Sequence, residues 1–187
     1  MAHTTASACS YRYQTLSHTQ PADTVDVPRT DPDGCPHPAA DGEDDRCLFH
    51  ATEREFPPAA LTESFIDSVK SPERDATFAG GRLGDLDLSN RVLDTSDGEP
   101  IDLRGVTIDG SIDLTGAIVN VPLLLGNAAL TGALEGERST FEAPVDLAGT
   151  SVEKGVYLHN ATFESGIAAN GFEVASLMRV RSRPLVR

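Results

Sequence analysis

The stretch Gly155-Val156-Tyr157-Leu158-His159-Asn160-Ala161-Thr162-Phe163-Glu164-Ser165 places its apolar and small residues at 156, 158, 161 and 163, so the gaps run two, three, two. An amphipathic helix needs gaps of three and four, and a flat strand needs twos throughout. Two, then a corner, then two again suits a chain that runs extended briefly, bends, and runs extended on a new face.

The spacing recurs. From Ile101 to Leu177 seven consecutive units of eleven residues fit without an insertion. The first position reads Ile101, Ile112, Leu123, Leu134, Val145, Val156, Ile167, and the third Leu103, Leu114, Leu125, Gly136, Leu147, Leu158, Ala169. The sixth reads Val106, Ala117, Ala128, Ser139, Thr150, Ala161, Phe172, and the eighth Ile108, Val119, Leu130, Phe141, Val152, Phe163, Val174. Of these 28 slots, 25 hold Ala, Val, Ile, Leu or Phe and none is charged, which assigns them to the interior. The fifth position reads Gly105, Gly116, Asn127, Arg138, Gly149, Asn160, Gly171; Gly and Asn tolerate a left-handed backbone, so six of the seven units mark a corner there.

An eleven-residue period also suits a right-handed coiled coil, but the regular Gly, Asn and Pro and the β-branched content oppose a helix. A flat sheet has no use for a corner every five or six residues. The remaining solution is an all-β solenoid in which two elevens close one four-sided coil of about 22 residues, rungs about 4.8 Å apart.

The segments "ATFES", "GVTIDG" and "GAIVNV" resemble the pentapeptide repeat, in which a small residue stands two before a central Leu or Phe. That resemblance implies a right-handed four-sided β-helix of about four coils, spanning residues 76–177 with an earlier run, "ATFAGGRLGDLDLSNRVL". Large residues such as Val156 and Ile112 where that family prefers small ones imply a wider coil. "DTSDGEP" (94–100) interrupts the register by about four residues and reads as a surface loop rather than a calcium site, because its Asp spacing does not match an EF-hand.

Solenoid ends need covering. Residues 58–72 predict a short amphipathic capping helix, with Pro58 in its first turn, Leu61, Phe65, Ile66 and Val69 on one face, and Pro72 closing it. At the other end, 178–187 form a basic tail that breaks with the preceding composition. It reads either as an arm on the acidic solenoid or as a continuing repeat, and an open last rung predicts association.

With 29 acidic residues against 15 basic and a net charge of −14, the chain lacks the basic stripe that nucleic acid requires. Two lysines, few aromatics and no Trp resemble the proteins of salt-in halophiles. No signal-peptide pattern is present, so a cytoplasmic location is expected. The uncharged run Leu114–Leu134 contains Pro122 and keeps the repeat register, so it reads as core rather than a membrane span.

Residues 1–57 form an acidic, Pro- and Asp-rich head too poor in large apolar residues to build a core unaided. It holds all three cysteines, Cys9, Cys35 and Cys47, with His50 completing a Cys-x2-His pair; together they make a Cys3His set suited to structural zinc, and His37 is a competing ligand. No nucleophile elbow, phosphate loop or His-Glu-x-x-His is present, so no enzyme is expected. His159 is expected on the surface, and Asp102, Asp113 and Asp146 as an outward acidic stripe. The leading expectation is a non-enzymatic scaffold that contacts proteins or itself through a solenoid face or the last rung. Resemblance also suggests a cytoplasmic regulatory domain of, or a fragment from, a halophile membrane ion-channel protein, or a mimic of DNA charge.

Overall fold

The computed structural model describes residues 9–12, 34–40, 45–51, 58–72, 76–176 and 178–181. The rest of the 1–57 head and the tail beyond Arg181 lie outside the described residues. A helix, α1 (Pro58–Lys70), precedes a parallel β-solenoid of about four coils. The first coil carries β1 (Arg82–Leu83), β2 (Leu86–Asp87) and β3 (Val92–Leu93). The second carries β4 (Ile101–Asp102), β5 (Thr107–Ile108), β6 (Ile112–Asp113) and β7 (Ile118–Val119). The third carries β8 (Leu123–Leu124), β9 (Ala129–Leu130), β10 (Ala133–Glu135) and β11 (Thr140–Phe141). In the fourth are β12 (Val145–Asp146), β13 (Ser151–Val152), β14 (Gly155–His159) and β15 (Thr162–Phe163). The last turn holds β16 (Ile167–Ala168), β17 (Glu173–Val174) and β18 (Met178–Arg181).

Strands stack in sheets of four or five, one per side. The first face joins β1, β5, β9, β13 and β17; the second β2, β6, β10, β14 and β18; the third β3, β7, β11 and β15; the fourth β4, β8, β12 and β16. Partners stand 22 residues apart, as in Ile101↔Leu123 and Val145↔Ile167. Between the first two coils Val92 pairs with Ile118, a 26-residue step that accommodates the loop at 94–100. The inward residues of successive coils fill one continuous interior, with Ile101, Val106, Ile108, Ala117 and Val156 fully buried. Phe141 and Phe163 stack with centroids 4.7 Å apart. The two polar inward residues satisfy themselves: the Ser139 hydroxyl donates to Gly136 O (2.6 Å) and that of Thr150 to Leu125 O (2.6 Å).

The fifth-position corner is left-handed in every unit. Gly105, Gly116, Gly149 and Gly171 have φ of 63–70°, and Asn127 and Asn160 have φ of 58°. Arg138, which composition had not marked as a corner, adopts the same φ of 58°. The closure of the coil therefore overrides residue preference there. The second-position aspartates do not make one outward stripe. Asp113 lies on the second face with Asp87 and Glu135, whereas Asp102 and Asp146 flank Leu124 on the fourth. Each instead accepts the backbone N–H two residues on, from Ser89, Arg104, Thr115 or Ala148, which closes the corner as an Asx turn. Asp102 is buried and also paired with Arg104 at 2.6 Å.

Helix α1 buries Leu61, Phe65, Ile66 and Val69 over the N-terminal coil, and Phe65 meets Phe78 at 4.5 Å. It ends at Lys70, before Pro72. At the far end β18 extends the second face through Arg181, four residues past the composition change at Leu177. In that last turn Ile167 is 43% exposed, unlike the other first-position residues.

Among these positions, Gly149→Ala should lower stability by about 1–2 kcal/mol in chemical denaturation, because an alanine Cβ would sit in left-handed backbone and meet Asn127 Oδ1 at 2.5 Å. Arg138→Gly, relieving the same strain, should raise stability by up to about 1 kcal/mol. Burial, with Asp113 and Glu137 nearby, raises the Glu135 carboxyl above its ordinary value. Its penalty is absent below the unfolded pKa and full once pH climbs above the folded one. Glu135→Gln should therefore stabilise at neutral pH and have no effect in acid, as read by melting temperature against pH.

Candidate metal centre

Among the described residues, the first coil presents an edge with no coil beneath it. Thr77 bridges Asp102 above, and the amides of Phe78 and Gly80 donate upward to Asp102 O and Arg104 O. By strand alternation, the carbonyls of Thr77 and Ala79 point the other way, toward the head. Two imidazoles meet them: His37 Nε2 lies 2.9 Å from Thr77 O, and His50 Nε2 lies 3.1 Å from Ala79 O. Phe49 O accepts from Arg82 N at 2.8 Å, so the head continues the backbone ladder of the first face.

Three short segments build the head. Cys9 N donates to His37 O, Cys35 N to Tyr11 O, and Ser10 N to Asp45 O. A tight turn at 47–50, closed by His50 N donating to Cys47 O, puts Cys47 and His50 side by side. Their side chains converge with those of Cys9 and Cys35. The four donor atoms lie within 4.8 Å of one another, and all four residues are buried. Cys47 Sγ stands 3.1 Å from His50 Nδ1 and 3.6 Å from Cys35 Sγ, and Cys9 Sγ stands 4.0 Å from His50 Nδ1. A tetrahedral zinc with three sulfurs and one nitrogen needs donor separations of about 3.5–3.8 Å, so the cluster fits an ion with small adjustments.

The surroundings match that chemistry. Because His50 donates Nε2–H to a carbonyl, Nδ1 keeps its lone pair for the cluster. The Tyr11 ring stacks on the imidazole at 3.9 Å and shields it. Cys47 N donates to Cys9 Sγ at 3.2 Å. No disulfide joins the three cysteines. Hydrogen bonding from the Cys35 thiol, with the His50 ring adjacent, lowers the Cys47 thiol from its ordinary value against the opposing effect of burial. Cys35 is pushed up by that same hydrogen bond and by burial.

His37, the competing ligand by sequence, lies apart from the four. Its ring packs on Phe78 (5.0 Å) and edge-to-face on Phe49 (4.8 Å) while capping Thr77 O. Its nearness to Cys35 in sequence gave no hint of that role. His159 is exposed, as its slot requires. No protein-family model matches the chain, and neither a curated protein nor a solved structure matches it.

Docking of the head depends on Gly80, which is left-handed (φ 66°) and lies under the Tyr11 hydroxyl, 2.1 Å from where a Cβ would stand. Gly80→Ala should displace Tyr11 and destabilise the protein by more than about 1 kcal/mol, with protease sensitivity rising first in the head.

Proposed function

We propose that the chain is a non-enzymatic scaffold: a pentapeptide-repeat-like solenoid whose N-terminal coil is held shut by a structural zinc ion on Cys9, Cys35, Cys47 and His50, and whose flat faces contact proteins. The observation that carries this reading is the convergence of those four buried donors, from separate segments, on the uncovered edge of the first coil. Three thiolates and an imidazole form a set typical of structural zinc, and four protein ligands leave no open position for a substrate. A head this poor in core gains the cross-link it lacks.

The left-handed corners and the small residue two before Leu130, Phe141 and Phe163 support kinship with the pentapeptide architecture. An apolar gap of about 10 Å3 inside the coil, lined by residues such as Leu114, Leu134 and Leu158, offers no polar group for chemistry. Among the described residues no helix is long and apolar enough to cross a membrane. The excess of carboxylates and the unbonded thiols suit a salt-adapted protein of a reducing cytoplasm.

Protein produced without added zinc should carry close to one zinc per chain by elemental analysis. Cobalt in its place should give tetrahedral d–d bands with thiolate charge transfer, and Cys47→Ser should abolish both. Less than about half an equivalent of metal, with no fall in melting temperature on chelation, would end the zinc reading.

A further inference from the structure

The four faces differ in charge. Outward positions on the first face are Arg82, Thr107, Ala129, Ser151 and Glu173, on the second Asp87, Asp113, Glu135 and Tyr157, and on the fourth Asp102, Leu124, Asp146 and Ala168. The third face is different: its outward column is Val92, Ile118, Thr140 and Thr162, all β-branched and none charged. Val92 is 51% exposed and Ile118 40%, beside fully buried Leu93 and Val119. In a chain of net charge −14, a ladder uncharged on every rung is a place where a second flat surface can approach without desolvating carboxylates.

The two rims of this face are opposite in character. On the rim leading from the second face stand Asn90, Gly116, Arg138 and Asn160, each two residues before the outward residue of its rung. On the rim toward the fourth face stand Asp94, Asn120, Glu142 and Glu164, each two residues after it. Arg138, Glu142 and Glu164 are exposed, and none of them makes an ion pair among the described residues. Other titratable groups on the first rim are Glu137 and His159, beside Arg138 and Asn160, and Arg91, which is paired to Glu63 of α1 at 2.9 Å.

We propose that the third face is a self-association surface, and that two copies pack through it with solenoid axes parallel and the two-fold axis running along them. That axis reverses the strand direction but keeps each rung at its height. Each rung then meets its own copy: the rim of Asn90, Gly116, Arg138 and Asn160 faces the rim of Asp94, Asn120, Glu142 and Glu164. Arg138 of each copy comes opposite Glu142 of the partner, and Thr140 stacks near the axis. The other face-to-face arrangement, with the two-fold along the strands, sets the three-carboxylate rims against each other and is disfavoured. The face is only four rungs tall, roughly 14 Å between its outermost rungs, so it buries less than the about 800 Å2 per partner of a stable dimer and forms a weak one.

This names a partner for the scaffold reading above and does not require the metal; zinc content measured on the same samples keeps the two apart. Sedimentation equilibrium of the full chain, from about 10 µM to about 1 mM and with added salt to damp the net repulsion, reads the dimer directly. Dimerisation should weaken at least roughly tenfold in Ile118→Glu and in Arg138→Glu, with the circular dichroism and melting of each variant unchanged. The double variant Arg138→Glu with Glu142→Arg, which restores opposite charges across the interface, should recover it. A monomer at all concentrations would overturn the proposal. So would a dimer indifferent to Ile118→Glu, or one lost instead on placing a charge at Phe172 in the last turn. Failure of the double variant to recover overturns the parallel arrangement.

Discussion

The structure depends on a single requirement: backbone groups on strands mostly two residues long must find partners in the coil above or below. Nothing within a coil supplies them. Leu103 N donates to Leu124 O, Leu125 N to Asp146 O and Leu147 N to Ala168 O, each at 2.7 Å, and such ladders run along the sides. Each rung is therefore stable only as part of a stack, as in other solenoids. The cost falls on the first rung, which has no coil beneath it.

The head answers that cost. The carbonyls of Thr77 and Ala79 are met by two imidazole N–H groups, and the Arg82 amide by a carbonyl of the head. His50 therefore has two tasks: one ring nitrogen ends the ladder while the other faces the thiols. An ion at that point would tie the position of the cap to the position of the edge it covers. Helix α1 covers the interior of the same coil with Phe65 and Val69, so backbone and side-chain needs at this end are met by different elements.

The corners show how local chemistry serves the same requirement. A left-handed residue turns the chain, and at four corners an aspartate three residues before it accepts the amide that the turn would leave without a partner. Those carboxylates looked like a solvated stripe in sequence, yet their register divides them between two faces. Charge left over from corner closure accumulates on the second and fourth faces. The third face stays neutral because its rungs carry β-branched residues where those faces carry aspartates.

Much of the fold was legible in the sequence because a repeat samples the same environment seven times: inward slots declare themselves by the absence of charge, and corners by Gly and Asn. Arg138 was illegible at its corner, since one residue among seven can bear strain that its neighbours compensate. The four candidate ligands could be named from residue type alone, but not their meeting. Spacings of 26 and 12 residues between cysteines carry no geometry, and it is the edge of the first coil that gathers the segments. By itself the sequence determined the period, the interior and the turning points, which are local and repeated. Only the tertiary structure decided which histidine also joins the thiols and which caps a carbonyl alone, because both roles depend on where the edge of the first coil presents its oxygens.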